Sequence, residues 1–287
     1  SGQSQFSSIS ADGRYVAFQS DADNLVSGDT NEATDIFVRD TVTNTTTRVS
    51  VDSNSVQGNG GSFDSSISTD GRYVAFASRA SNLVNGDTNV AVDVFVRDIA
   101  TNTTTLVSVS SSGAQGDGDS FYPANFVSTK ISANGRYVAF TSVASNLVIG
   151  AGYIPNIFLR DTIANTTTLV SVASSGVQVN GLSLYPSISA DGRYIAFYSN
   201  GNNLVSGDTN GTTDVFVRDT VANVTTRVSV DSSSIEGNND SYVPYISADG
   251  HYIAFESIAS NLISGDTNGS ADVFVRENNI VPIVQIP

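Results

Sequence analysis

The chain has 287 residues, a formal net charge of −15, and no cysteine, methionine or tryptophan. Such acidity repels nucleic-acid backbones and anionic membrane surfaces, and the missing cysteines exclude disulfide frameworks and thiolate metal sites. No apolar run approaches the roughly 20 residues of a membrane-spanning helix, so no membrane insertion is expected.

A sequence without methionine that begins at Ser1 is expected to have lost something from its N-terminus, as cleavage of a secretion signal, or loss of the initiator methionine alone, would explain. Its single lysine and its wealth of Thr and Asn point to a secreted or cell-surface bacterial protein.

One sentence of sequence recurs five times, starting at Ile9 (ISADGRYVAF), Ile67, Ile131, Ile188 and Ile246. These starts lie 58, 64, 57 and 58 residues apart, the mark of a repeat architecture. In the first copy, β-branched and aromatic runs at residues 6–10, 14–20, 35–39 and 46–51 alternate with turn residues, which predicts four short strands. Asp12-Gly13 reads as a tight hairpin turn between the first two. The expected fold is all-β, a single five-bladed β-propeller over residues 1–287 with four antiparallel strands per blade. Its blades would cover approximately residues 4–58, 59–119, 120–180, 181–238 and 239–287. A stacked β-solenoid is the competitor, and it would lack the repeated Asp-Gly hairpins.

The Ser-x-Asp-Gly-Arg-Tyr-(Val/Ile)-Ala-Phe run, followed by Asp-(Ile/Val)-Phe-Val-Arg-Asp, resembles the TolB-type, WD40-like propeller repeats of bacterial proteins. With NLVSGDTNGTTDVFVRD and TTRVSV, it looks like their secreted or surface-associated members. The resemblance implies the fold and leaves the function open, because such propellers serve many roles.

Strand alternation places residues 21–34 and 52–63 of the first copy on one side, and the surplus length of each repeat falls there. Long loops over a rigid scaffold make that side the expected binding face. Two irregularities are expected on it. The third copy is preceded by about six extra residues around Asn125–Lys130, which include the only lysine. It also reads Ile149-Gly150-Ala151-Gly152-Tyr153-Ile154-Pro155-Asn156 where the others carry an acidic GDTN loop. The tail from Ile280 to Pro287 stands where a fourth strand belongs; it would close its own blade, link to another domain, or join a neighbouring molecule in self-association.

The acidic loops are the candidate metal sites: Asp29, Asn31 and Asp35; Asp87, Asn89 and Asp93; Asp208, Asn210 and Asp214; Asp266, Asn268 and Asp272. Hard oxygens on a short loop suit Ca²⁺, yet the spacing matches only the start of an EF-hand loop. Asp40, Asp98, Asp219 or Glu277 stands at the twelfth place, beyond a strand and out of reach. The alternative is an Asx turn with no metal.

Arg14, Arg72, Arg136 and Arg193, and likewise Arg39, Arg97, Arg160, Arg218 and Arg276, are expected to pair with aspartates between blades. Of seven Asn-x-Ser/Thr sequons, those at Asn44, Asn102, Asn165 and Asn223 share one turn, so turn preference explains them as well as glycosylation does. One histidine, His251, and no GxSxG, HExxH or P-loop motif leave catalysis with little support. Acids outside the repeat are few, chiefly Glu32, Asp64, Asp119, Glu236, Asp240 and Glu256. The expected function is a non-enzymatic extracellular module, structural or protein-binding, set by calcium and able to self-assemble. The alternatives are a lectin binding surface glycans and a secreted hydrolase of glycosidase type.

Overall fold

The computed structural model describes residues 2–120 and 129–278, in two compact units, Ser1–Leu169 and Val170–Pro287. The first unit holds three four-stranded sheets. They are β1 (Ser4–Ile9), β2 (Tyr15–Ser20), β3 (Asp35–Asp40) and β4 (Thr45–Arg48); β5 (Ser62–Ile67), β6 (Tyr73–Ser78), β7 (Asp93–Asp98) and β8 (Thr103–Leu106); and β9 (Thr129–Ile131), β10 (Tyr137–Ser142), β11 (Asn156–Asp161) and β12 (Thr166–Leu169). The second unit holds a four-stranded sheet of β13 (Ser183–Ile188), β14 (Tyr194–Ser199), β15 (Asp214–Asp219) and β16 (Val224–Arg227). It also holds a sheet of β17 (Ser241–Ile246), β18 (Tyr252–Ser257) and β19 (Asp272–Glu277). Strands follow one another in sequence order and every pairing is antiparallel. Among the described residues no helix occurs, and none is long and apolar enough to cross a membrane.

The repeated Ser-x-Asp-Gly sequence builds the first hairpin of each sheet. In the first, Gly13 takes φ 72°, a conformation glycine adopts at no steric cost, and its N–H donates to the Ser10 carbonyl at 3.0 Å. The Asp12 carboxylate accepts from the Ser10 hydroxyl at 2.6 Å and from the Arg14 N–H at 3.0 Å, which locks the turn. Each first strand except the short β9 shows a break in register, and Phe6, Asp64, Tyr185 and Val243 sit there at positive φ as a bulge.

Two middle strands of each sheet carry the core, stacking one phenylalanine on another, as Phe76 does on Phe95 with centroids 5.9 Å apart. Neighbouring sheets within each unit pack face to face. Tyr15, Ala17, Ile36 and Val38 of the first sheet meet Ile67, Val74, Phe76 and Leu83 of the second, and the second meets the third through the equivalent residues.

Three expectations are corrected or bounded here. Lys130 lies within β9, paired with Ala139, rather than in a loop. Of the other residues expected to lengthen that loop, Asn125 to Ser128 fall outside the described residues, as does the tail from Ile280 to Pro287; the fifth sheet has three strands among the described residues. The first arginine set pairs inside each sheet, not between sheets. Antiparallel pairing sets Tyr15 opposite Asp40, so the Arg14 guanidinium forks onto the Asp40 carboxylate at 2.8–3.1 Å and lies over the Tyr15 ring. Arg72, Arg136 and Arg193 do the same with Asp98, Asp161 and Asp219.

Candidate interaction surface

The long loops of the first, second and fourth repeats are each joined to one another. In the first, the Thr30 N–H donates to the Gln57 side chain at 3.2 Å, the Asn31 amide to the Gly58 carbonyl at 3.0 Å, and the Ser62 N–H to the Thr34 carbonyl at 2.7 Å. This satisfies backbone groups that would otherwise lie idle near a buried sheet end.

The predicted metal residues lie at the root of these loops. Asp35 is fully buried; it accepts the Ser50 hydroxyl at 2.5 Å, the Asn31 amide at 3.1 Å and Arg48 at 3.4 Å. Arg48 also lies 3.1 Å from Asp29, and Gln57 donates to Asp29 at 2.9 Å. Asn31 accepts the Ala33 N–H, an Asx turn. The cation balancing these two carboxylates is therefore an arginine of the chain itself. In the fourth sheet Arg227 lies 3.4 Å from both Asp208 and Asp214 and 2.7 Å from Glu236, while Asn210 donates to Asp214 at 3.0 Å.

The second sheet has Leu106 in place of that arginine. Gln115 alone bridges Asp87 at 2.7 Å and Asp93 at 3.0 Å, and Asn89 donates to the Gly116 carbonyl. Burial without a nearby cation pushes the Asp93 carboxyl up to about 6. Burial lifts Asp208 to about 6 as well, with Asp214 adding to it and Arg227 opposing. In the fifth sheet Asn268 donates to a partly exposed Asp272 at 3.0 Å, with Asp266 earlier in the same loop. Among the described residues, no group of three or more Asp, Glu or His side chains is arranged to hold a metal. Ca²⁺ takes six to eight oxygens, and the carboxylates of the first and fourth loops are already committed to guanidinium, hydroxyl and amide donors, so these residues do not fit that ion.

Sequence reading missed Arg48, Arg227, Gln57 and Gln115, and singled out Glu236 only as an acid outside the repeat. The signal was present, as TTTR in the first copy and VTTR in the fourth against TTTL in the second and third, with a Gln or Glu opposite. It was invisible as a contact because 22 residues separate Gln57 from Asp35.

The third sheet differs. A buried Asn156 replaces the aspartate, and residues 143–155 contain no charged side chain. Ile149 stands 103% exposed at the loop's tip and Tyr153 73% exposed. The Tyr153 hydroxyl donates to Asp117 at 3.2 Å, and Asp117 also accepts the Ser145 N–H and hydroxyl at 2.6 Å each. The tyrosine is thus held in place although its ring faces solvent.

The other sequence candidates divide into scaffold and isolated groups. Arg97 donates to the Asn102 side chain and carbonyl, the Thr104 hydroxyl and the Asp52 carbonyl of the preceding repeat, and Arg160 and Arg218 follow the same plan. These are backbone and amide acceptors, not the aspartates expected. Asn44, Asn102, Asn165 and Asn223 all have positive φ, which explains asparagine at that turn. His251 is exposed, 3.6 Å from Asp249. Asp64 is buried and accepts the Thr129 N–H at 2.7 Å; desolvation lowers the pKa of neighbouring Lys130 against its pull.

Between repeats, grooves of about 140 Å³ and about 480 Å³ recur at equivalent places, the first beside Ser53, Asn82, Leu83 and Thr104, the second beside Ser174, Asn203, Leu204 and Thr225. No aromatic side chain lines either.

The putative TolB from Agrobacterium tumefaciens superposes with a TM-score of 0.54 at 14% identity, over 97% of this chain and 78% of that one. The fold is that of a TolB-type, WD40-like β-propeller. The tricorn protease superposes with a TM-score of 0.53 at 14% identity, over 88% of this chain and 23% of that one. TolB from Acinetobacter baumannii is 16% identical with a TM-score of 0.49, and this chain, 91% covered, spans about half (53%) of its length. No family model matches the sequence, and no characterised protein matches it. At such identities the likeness concerns the propeller fold, and function rests on the side chains.

Proposed function

We propose that this chain is a non-enzymatic, exported propeller that acts as a protein-interaction module, with the long loop of the third blade as its contact site. The observation that carries this reading is the pairing of exposed Ile149 with anchored Tyr153 on the uncharged loop 143–155 of a chain of net charge −15. An aromatic held in position loses little entropy on binding, and such residues dominate protein interfaces. The long loops of the other blades keep their acidic sequence. In the first, second and fourth blades the carboxylates are held by Arg48, Gln115 and Arg227, so that in this reading the chain's own donors, rather than calcium, set those loops.

The test is recovery of partners from the extracellular fraction of the source cells on immobilised protein. Wild type is expected to retain a defined protein, and the Ile149→Asp/Tyr153→Ser double variant to lose it at least tenfold. Val42→Asp, at a turn between third and fourth strands, serves as the control. Equal recovery on wild type and the double variant refutes the site. The repeated inter-blade grooves favour a second reading, glycan binding with one shallow site per junction. Sugars stack on aromatic faces, which these grooves lack, and titration with monosaccharides monitored by calorimetry decides it.

A further inference from the structure

The sequence holds seven Asn-Gly pairs, beginning at Asn59, Asn85, Asn134, Asn180, Asn200, Asn210 and Asn268. In such a pair the backbone nitrogen of the glycine can attack the side-chain amide carbon of the asparagine, because no Cβ shields that nitrogen. The folded chain adds two conditions: the asparagine amide must be free to swing toward the nitrogen, and the glycine must stand in open space.

Six pairs fail at least one of them. Asn59 donates to the Ser81 hydroxyl at 3.0 Å and accepts its N–H at 2.9 Å, and Asn180 donates to Asn202 at 2.7 Å and accepts its N–H at 3.1 Å. Asn210 donates to Asp214 and to the Gly237 carbonyl, and Asn268 donates to Asp272, each while accepting an N–H two residues on. Asn134 accepts the Arg136 N–H at 3.0 Å, and Asn200 the Leu182 N–H at 2.9 Å. The N–H groups of their glycines, Gly135 and Gly201, are engaged by the Ser132 carbonyl and the Ser199 hydroxyl. A Cβ at Gly60, Gly135, Gly181 or Gly201 would also collide with its neighbours. Asn85 meets both conditions. It is exposed, its side chain has no hydrogen-bond partner among the described residues, and a Cβ on Gly86, at φ 86°, would meet nothing within 4 Å. Nor does the loop call for asparagine there, since Ser27, Ser206 and Ser264 hold its place in the first, fourth and fifth copies.

We propose that Asn85 deamidates spontaneously in the folded protein, ahead of the other six. The Gly86 nitrogen, losing its proton to base, bonds to the Asn85 Cγ; the Cγ–Nδ2 bond breaks and the amide leaves as ammonia. The cyclic imide that results then takes up water. Cleavage of the bond from the Gly86 nitrogen to Cγ gives aspartate. Cleavage of the bond from that nitrogen to the main-chain carbonyl gives isoaspartate, whose main chain runs through Cγ. Either product places a carboxylate on the groove that Asn85 lines with Asp52, two residues from Asp87. In this blade Leu106 stands where Arg48 and Arg227 balance the acids of the first and fourth, so no arginine of that kind offsets the new charge. Isoaspartate also lengthens the main chain just before Thr88 and Asn89, whose bonds to Gln115 and to the Gly116 carbonyl hold the loop down. The protein thus passes with age from one charge form to a more acidic one, with the change confined to the second-blade loop.

The test needs no partner, so its result stands apart from that of the third-blade contact. Purified chain is incubated in mildly alkaline buffer, folded or in urea, and cleaved after arginine, which frees Asn85 on residues 80–97 with no second Asn-Gly pair. In the folded chain, mass spectrometry is expected to show this peptide gaining the mass of an amide-to-carboxyl exchange, and splitting into two chromatographic forms. It is expected to do so at least about tenfold faster than any other Asn-Gly peptide, whereas in urea, where no contact protects them, all seven pairs should convert at similar rates. Asn85→Ser, which installs the residue of the fourth copy, is expected to melt like wild type and to lose the acidic form that ion exchange resolves in aged wild type. An Asn85 that keeps its amide in the folded chain overturns the proposal whatever happens in urea, as does another pair converting as fast. Aged Asn85→Ser that turns acidic at the wild-type rate overturns it too.

Discussion

Asp93→Asn should stabilise this protein at neutral pH and cease to do so in acid. Asp93 is fully buried, without the arginine that its counterparts in the first and fourth blades have, and its carboxyl is lifted from 3.8 to about 6. Because the folded-state value lies above the unfolded one, the fold holds this proton more tightly. The cost of ionising it is nearly absent near pH 4 and complete above about pH 7. At about 1.4 kcal/mol per pH unit, it comes to about 3 kcal/mol at pH 8 and about 0.5 kcal/mol at pH 4. Asparagine keeps an oxygen for the Ser108 hydroxyl, which donates at 2.5 Å, and forfeits the bond from Gln115, worth about 1 kcal/mol. The third blade already buries asparagine at this position, as Asn156. The expected outcome is a gain of about 2 kcal/mol near pH 8 and a slight loss near pH 4, read from urea midpoints at unchanged m. A difference that does not vary with pH, or a loss at pH 8, refutes the assignment of Asp93 as a buried, uncompensated acid.

Arg48→Leu gives the first blade the leucine of the second and leaves Asp29 and Asp35 unbalanced; a loss of about 3–5 kcal/mol is expected by denaturant melts, partly restored by added calcium. The wild type, whose loops are closed by its own arginines, is expected to melt at the same temperature with and without a chelator. Gly71→Ala drives a methyl into the Tyr15 ring at a backbone of φ 74° and should destabilise by several kcal/mol, whereas Gly13→Ala at φ 72° meets no neighbour and should cost only about 1 kcal/mol in dilute solution, both by thermal melting. Asn102 has φ 56° and accepts from Arg97 at 3.0 Å, so Asn102→Val should cost about 2 kcal/mol or more and Asn102→Gly clearly less, by the same assay.

The sequence by itself determined the strands, because each depends on neighbours within a few residues. Alternation of Tyr, Val, Ala and Phe sets two apolar faces, and Ser10, Asp12 and Gly13 close a turn whose every bond is local. It also marked the third copy as the odd one, since a lost charge is visible in a string of letters. What it could not show were pairings set by register across the sheet. Arg14 meets Asp40 in its own sheet, and Arg48 meets Asp29 and Asp35, only because antiparallel strands bring those side chains to the same end. Of the Asp and Asn residues that read as calcium ligands, Asp29, Asp35, Asp87 and Asp93 meet partners 13 to 28 residues away, which are cationic, hydroxyl or amide groups. Tertiary structure also decided which repeat faces are covered. Val96, Val217 and Val275 are the same letter in the same motif, and only packing leaves the last of them 67% exposed. Burial depends on what lies across a junction, and no repeat carries that information within itself.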